Sequence, residues 1–403
     1  MRRVVITGSG TVNALGPDVA ATFAAMREGR CGIGPLSCRD VDRLSVQIGA
    51  EIAGFDPAQH FTRNTLPLLD RFSQLALVAA REAVAQSGLH IDEALGLRAG
   101  VIMGTAGGGN LTVDDNYRTV YAEGKNRVHP FVVPRLMHNA ATSHISMELG
   151  LKGPAFTVST ACASANHAMG QAFQMLRCGM ADVMVTGGSE AMLGFGGIKA
   201  WEGLRVMARD ICRPFSRDRT GMVQGEGAGV FVFEELEHAR KRGANILAEV
   251  AGFGLSADAG DIVMPDVDGP VRAMQSAMAD AQVTPDDVGY VNAHGTGTAA
   301  NDRVESQALR KVMGARLDTL PVSSTKSMHG HIIGGTSAVE LLACLMALNE
   351  DCIAPTINHS EFDPDCVPDP VPNDARQARI NVAISNAFAF GGLNAVLVLR
   401  RYA

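Results

Sequence analysis

Val158-Ser159-Thr160-Ala161-Cys162-Ala163-Ser164-Ala165-Asn166-His167 runs from a β-prone segment through a small-residue turn into a long helix without charge. Its opening returns in the second half of the chain, where Val322-Ser323-Ser324-Thr325 also leads into a helix of small and apolar residues. A helix almost free of charge offers no face to water and is expected between packed layers. Two such helices, each entered from a short strand, point to a duplicated architecture. Around them short β-branched runs alternate with amphipathic segments. The runs at 3–7, 100–103, 156–159, 183–186 and 230–233 are matched by others at 246–250, 288–292, 320–324, 380–384 and 395–399. Helical periodicity marks 20–28, 73–87, 166–176, 269–281 and 338–348. Alternating strands and helices predict an α/β protein with a buried, largely parallel sheet. The join is expected near 235–244, where Glu237-His238-Ala239-Arg240-Lys241-Arg242-Gly243 reads as a solvated connector between residues 1–240 and 241–403.

The composition limits the function classes. At 403 residues, 46% apolar and 19% charged, the chain is too long for one small core and should bury extensive surface. The 44 glycines cluster in GSG, GGG, GEG, HGTG and FGG runs, read as turns or places of close backbone approach. A net charge of −7 gives no basic character for nucleic acid, so an acidic partner would have to meet a local basic patch. The eight cysteines form no CxxC and no zinc spacing, so no metal is expected. The opening Met1–Gly8 reads as a strand and turn rather than a signal peptide. No apolar run is long enough for a bilayer. A soluble, cytoplasmic protein without membrane insertion is expected. Gly8-Ser9-Gly10 lacks the third glycine of a dinucleotide fingerprint, the position being Asn13.

Four segments carry candidate chemistry. Cys162 stands where its helix opens, among small neighbours that let a carbonyl approach, and the helix dipole there favours a thiolate. A buried, inert cysteine is the other reading, and it suits Cys178, Cys344 and Cys352 in their apolar segments. Asn292-Ala293-His294-Gly295-Thr296-Gly297-Thr298 ends a strand in a histidine and a Gly/Thr loop. This is either a structural turn or a site where Thr296 and Thr298 bind a polar arm. In Ser323-Ser324-Thr325-Lys326-Ser327-Met328-His329-Gly330-His331, Lys326 and His331 precede an apolar helix whose one acidic residue before Asn349 is Glu340. A charge in such a helix needs a partner, and Lys326 is available. His329 reads as scaffold. Asn386-Ala387-Phe388-Ala389-Phe390-Gly391-Gly392-Leu393-Asn394 is either strand-period core packing or a hinged apolar flap.

Taken together and in order, these segments resemble the β-ketoacyl-acyl carrier protein synthases, in particular the elongating class II enzymes, over nearly the whole chain. Asp261-Ile262-Val263-Met264-Pro265 and Lys326–His331 are closer to the nodulation (NodE-like) ketosynthase branch. The resemblance implies a thiolase-like duplicated fold, five layers αβαβα with two mixed sheets, and a homodimer. It implies a 3-oxoacyl synthase of fatty acid or specialised lipid biosynthesis that needs no cofactor beyond the phosphopantetheine of its acyl carrier protein. Cys162 would take the acyl group and the backbone N–H groups of Cys162 and Phe390 would hold the oxyanion. His294 and His331 would stabilise the enolate, and Lys326 with Glu340 would tune the site. Thr296 and Thr298 would meet the pantetheine arm, while Phe388 and Phe390 would belong to the gate.

The sequence also departs from the family pattern. Leu393 replaces a threonine in the gate, and the run after His331 is Ile332-Ile333-Gly334-Gly335-Thr336-Ser337. Ala106 and Val132 stand where relatives carry bulkier residues at the acyl tunnel, which suggests a roomier one, unless bulk elsewhere compensates. The carrier-docking segment is poor in basic residues, leaving Arg63, Lys125, Arg127 and Arg205 as candidate contacts. A type II polyketide ketosynthase and a non-catalytic chain-length partner are the alternative readings. Retention of Cys162, His294 and His331 argues against the second.

Overall fold

The computed structural model describes residues 1–402. Ten strands form its main sheet, beside two small two-stranded ones. In the first half these are β1 Val4–Asn13, β2 Ala99–Gly104, β3 Ala155–Val158, β4 Val183–Glu190 and β5 Gly227–Glu235. In the second they are β6 Ala248–Ala257, β7 Tyr290–Asn292, β8 Val322–Ser323, β9 Val382–Ala389 and β10 Leu393–Arg400. The spatial order is β3-β2-β4-β5-β1 in the first half and β8-β7-β9-β10-β6 in the second, the same permutation five strands on. Directions repeat as well. In each half the two pairs on the outer side are parallel and the two on the inner side antiparallel.

One expectation is corrected here. Half of the pairings within each half are antiparallel, so the sheet of each half is mixed, as the resemblance implies, rather than largely parallel. The two mixed sheets meet at their inner edges, where β1 and β6 pair antiparallel over Val4–Ile6 and Ala248–Val250.

Five helices place the layers. Helix α1 Arg71–Ser87 covers β1 and β5, and α3 Asp268–Ala281 covers β6 and β10 with α4 Ala299–Met313 beside it. Helices α2 Ser164–Arg177 and α5 Thr336–Glu350 touch each other and strands of both halves, which makes them the central layer. Every residue from Thr336 to Leu348 is buried. The largest apolar cluster joins α2 (Met169, Phe173, Leu176) and α5 (Leu341, Leu342, Leu345). Low charge in the sequence thus reports helices with strand on both sides.

The turn expected after Thr7 is strand, since β1 continues to Asn13. Its glycines let α1 sit close. A Cβ on Gly10 would lie 2.0 Å from the Ala79 carbonyl oxygen, and one on Gly254 of β6 would lie 2.1 Å from that of Ala273 in α3. The duplication therefore repeats at the level of single contacts. Other sequence expectations shift locally. The connector is a short helix, Leu236–Lys241, and Cys178 is exposed at the end of α2 rather than buried. No helix among the described residues is long and apolar enough to cross a membrane.

The contact is backbone to backbone, so the added methyl cannot be accommodated by a rotamer change. Gly10→Ala and Gly254→Ala should each cost about 1–3 kcal/mol, as overpacking does. Gly34→Ala, with open space around it, should leave the midpoint in place. Urea denaturation midpoints of the three variants check this.

Candidate active site

The chain enters the site from β3 through a strained turn. Ala161 has φ +48°, and the Ser164 hydroxyl closes the turn by donating to the Ala161 carbonyl (2.7 Å) and accepting from the Thr160 N–H (2.8 Å). Strain of this kind persists where the surroundings over-determine it, and here it presents the Cys162 sulfur to a cavity ahead of α2. From the second half, His294 follows the end of β7, and Lys326 and His331 lie in the segment between β8 and α5.

The structure brings these side chains together. Cys162 Sγ is 3.0 Å from His331 Nε2, and His331 Nδ1 is 2.8 Å from the Thr336 hydroxyl. The His294 and His331 rings stand edge to face with centroids 5.6 Å apart. Lys326 Nζ lies 2.5 Å from Glu340 Oε1 and 3.4 Å from His294 Nδ1, and it also donates to the His294 carbonyl. Both members of the Lys326–Glu340 pair are fully buried. An ammonium facing Nδ1 makes that nitrogen an acceptor, so the His294 proton sits on Nε2. The Thr336 hydroxyl, both donor and acceptor, supports either tautomer of His331.

Electrostatics correct one expectation. Burial pushes the Cys162 thiol up to about 12; the Lys326 charge and hydrogen bonds from the Phe390 and Cys162 N–H groups oppose it without prevailing. The resting sulfur is therefore a thiol, not the thiolate that the helix end alone suggested. Helix α2 begins at Ser164, two residues beyond Cys162. Burial, then the Lys326 charge, holds both His294 and His331 well below the ordinary imidazole range, so both rings are neutral near pH 7. Burial raises the Glu340 carboxyl and Lys326 works against it. His329 is neutral too, lowered to about 3 by burial, with its ring nitrogens taken by the Gly330 carbonyl and the Thr325 hydroxyl, which suits scaffold.

A cavity of about 150 Å³ joins Cys162, His294 and His331 with Thr296, Phe388 and Phe390. Thr298 also lines it and shares a 2.8 Å hydroxyl contact with Thr296. Phe388 is buried, edge-on to His294 at 6.1 Å. Phe390 is half-buried on the loop that ends β9. The ligand atoms of Cys162, His294 and His331 lie within 4.8 Å of one another, a spacing that suits a metal ion. The Lys326 ammonium beside His294 disfavours a cation there.

The remaining candidates separate. Ala106 packs into the apolar cluster that holds Cys162. Val132 does not reach it and lines a surface cleft with Asn116 and Thr119. Arg205 shares a cleft with Lys199 and Arg209 next to the Val206 wall of the catalytic cavity. Arg63 and Arg127 are exposed elsewhere, and Lys125 pairs with Glu123 at 2.7 Å.

Sequence reasoning missed three acidic residues. Glu305 of α4 is fully buried and accepts from the His294 N–H (2.8 Å), the Gly295 N–H (2.7 Å) and the Asn386 amide (3.1 Å), locking the histidine loop to β9. Glu190, at the end of β4, accepts from the Ala106, Gly107 and Gly334 N–H groups and the Thr105 hydroxyl. It thereby ties the floor beside Cys162 to the loop after His331. Asp258 accepts from the Asn394 amide (2.7 Å) and its N–H donates to Gly392 (2.9 Å), anchoring the loop of Phe390. Their only sequence signal is an acid in an otherwise unremarkable helix, strand end or loop.

Comparison with known proteins follows the same lines. The family model described as "Beta-ketoacyl synthase, N-terminal domain" matches residues 1–239, and the one described as "Beta-ketoacyl synthase, C-terminal domain" matches residues 247–360. The chain is 50% identical over 400 residues to "Nodulation protein E" of Rhizobium sp. (strain N33), covering 99% of each. It is 41% identical over 408 residues to "3-oxoacyl-[acyl-carrier-protein] synthase 2" of Staphylococcus aureus (strain COL), covering 100% of this chain and 99% of that one. Among solved structures, "The ishigamide ketosynthase/chain length factor" superposes with a TM-score of 0.95 at 37% identity, over 100% of both chains.

A thiol raised to about 12 should be alkylated by iodoacetamide with a rate at Cys162 that climbs through pH 10 without levelling off. Site-resolved mass spectrometry measures this. A plateau reached by pH 7 would mean a resting thiolate.

Proposed function

The chain belongs to the β-ketoacyl synthase family, and from that premise we propose that Cys162, His294 and His331 are its catalytic residues in a decarboxylative Claisen condensation on acyl carrier protein. The observation that carries this is the 3.0 Å contact of Cys162 Sγ with His331 Nε2 beside the His294 ring.

In this reading His331 Nε2 takes the Cys162 proton as sulfur attacks the acyl thioester. The N–H groups of Cys162 and Phe390, already aimed at the sulfur region, hold the oxyanion. The tetrahedral intermediate collapses, the carrier's pantetheine sulfur leaves with the proton from His331, and an acyl-Cys162 thioester remains. The malonyl carrier then enters along Thr296 and Thr298. Its carboxylate departs as CO₂ beside the apolar Phe388 face, and the enolate oxygen accepts from Nε2–H of His294 and from Nε2–H of His331 once that ring has passed to its other tautomer, with Nδ1 then accepting from the Thr336 hydroxyl. The enolate carbon attacks the acyl carbonyl, the bond to Cys162 sulfur breaks, and the thiolate released takes a proton from solvent to restore the resting thiol. The product is a 3-oxoacyl chain two carbons longer. Two neutral imidazoles suffice for this, and the tautomer Lys326 imposes on His294 points its proton into the cavity.

Residues 1–240 then supply the nucleophile and 241–403 the histidines and Lys326, a division supported by the repeated strand order. No further cofactor is called for, because the carrier's own phosphopantetheine brings both substrates. An acidic carrier would meet Arg205 at the cavity rim, with Arg63, Lys125 and Arg127 as outer contacts. A homodimer is part of the reading. Tyr121, Phe131, Val133 and Met147 are exposed, and β3 is a sheet edge with Phe156 partly exposed, which suits pairing with a second copy. All eight cysteines are free thiols, which fits a cytoplasmic setting. A polyketide ketosynthase role in a heteromer has support of its own in the ketosynthase/chain length factor likeness.

The test is incubation with a panel of acyl carriers plus malonyl carrier, with products read by mass. The protein should yield acyl-Cys162 and 3-oxoacyl products, Cys162→Ala neither, and Ala106→Ile a profile shifted to shorter chains. Condensation at full rate by Cys162→Ala would overturn the proposal.

A further inference from the structure

Gln224 is 1% exposed. Among the described residues it is the one buried side-chain amide whose oxygen and nitrogen both lack a hydrogen-bonding partner. Its main chain, by contrast, is held on both sides. The Gln224 carbonyl accepts from the Ala50 N–H (2.8 Å) and the Glu226 N–H donates to the Ala50 carbonyl (3.1 Å). Opposite, the Val223 carbonyl accepts from the His331 N–H (2.7 Å) and the Gly225 N–H donates to the His331 carbonyl (2.9 Å).

That pattern pairs Gln224 directly with His331 in a parallel bridge, and residues paired in this way carry their side chains on one face. His331 uses that face to reach the Cys162 sulfur. Alternation along the extended segment gives the same direction. Met222, two residues before Gln224, lines the catalytic cavity and belongs to the apolar cluster of Leu36, Cys162, Leu193 and Ile333. Val223 turns the other way, to Ala208 and Cys212. The Gln224 amide therefore stands on the side of the catalytic histidine and of the nucleophile, next to an apolar cluster that offers it no partner. Burying an amide without partners is costly, and a native structure that keeps such a group calls for an explanation.

The chemistry of the amide narrows what would satisfy it. Oε1 accepts and the Nε2 hydrogens donate. A ketone or ether oxygen only accepts and would leave Oε1 unpaired. A hydroxyl group does both, and one such group answers both ends of the amide. We propose that Gln224 is a specificity-determining residue of the acyl site, whose amide receives a hydroxyl group carried by the chain on Cys162: Nε2–H donates to the hydroxyl oxygen, and Oε1 accepts its hydrogen. The acyl substrate class is thus a hydroxylated chain rather than a plain hydrocarbon one. This rests on the reading of Cys162 as acyl acceptor, and the experiment separates the two.

The full chain is incubated with acyl-phosphopantetheine thioesters in pairs of equal length, one member unsubstituted and the other carrying a hydroxyl at one carbon, the position being moved along the chain. Formation of acyl-Cys162 is followed by mass. At one position the hydroxylated donor should exceed its unsubstituted partner in kcat/KM by about tenfold, the scale of one or two hydrogen bonds. Gln224→Leu and Gln224→Met, which keep the bulk and remove the amide, should reverse the order, taking the unsubstituted donor faster and the hydroxylated one slower. Equal rates within every pair for the unsubstituted protein, a comparison that needs no variant, would overturn the proposal and leave the acyl acceptor standing. A preference that survives both substitutions would do the same. No acyl-Cys162 from any donor would overturn the reading beneath it.

Discussion

One ion pair sets the character of the site. Lys326 and Glu340 face each other with no exposure to solvent, and such a pair persists only because each charge is met by the other. Removing one partner of a buried pair costs about 3–5 kcal/mol, so neither residue is free to change alone. The ammonium does three things from one position. It neutralises the acid of the central helix α5, it fixes the His294 loop through that residue's carbonyl, and it faces His294 Nδ1 so that the ring proton is on the other nitrogen. Its charge also helps keep both imidazoles neutral. A lone neutral imidazole is a modest donor; two of them converging in a largely apolar cavity are an effective host for a developing oxyanion.

The duplicated fold makes that convergence possible. Each half ends its parallel strands toward the same place. The first half sends Cys162 from β3 into α2. The second sends His294 from β7, Lys326 from β8 and Phe390 from β9. Since α2 and α5 are packed between the halves, the segments that lead into them, with Cys162 and with Lys326 and His331, meet at a shared boundary, and neither half holds a complete set. Buried carboxylates then fix the loops: Glu305 holds the histidine loop and Glu190 the floor by Cys162. Burial raises both carboxyls, Glu190 to about 7, and donor N–H groups offset this.

Much of this was legible in the sequence because it rests on local pattern. Strand runs and the two uncharged helices show the duplication, and the Cys, His and Lys segments stand at their strand ends. What was not legible depends on distance in space. Whether Gly8 and Gly10 form a turn or admit a helix is decided by α1, some seventy residues away. Glu305 sits in Ala299–Met313, a helix rich in charge, where nothing local separates it from solvated neighbours. The state of Cys162 is hidden from the sequence for a related reason: the helix end is visible there, whereas the depth of burial that outweighs it is not. The join of β1 to β6, which links the sheets of the two halves edge to edge, is a pairing of just three residue positions.

The central claim is that His294 and His331 act as neutral donors held so by burial and by Lys326. The most direct measurement is ¹⁵N NMR of the imidazole nitrogens of the intact protein, assigned with single histidine replacements and followed from pH 8 to pH 5. The account predicts that both rings stay neutral throughout, with His294 protonated on Nε2. An imidazolium signal from either ring at pH 7, titrating near the ordinary value of about 6.5, would contradict it.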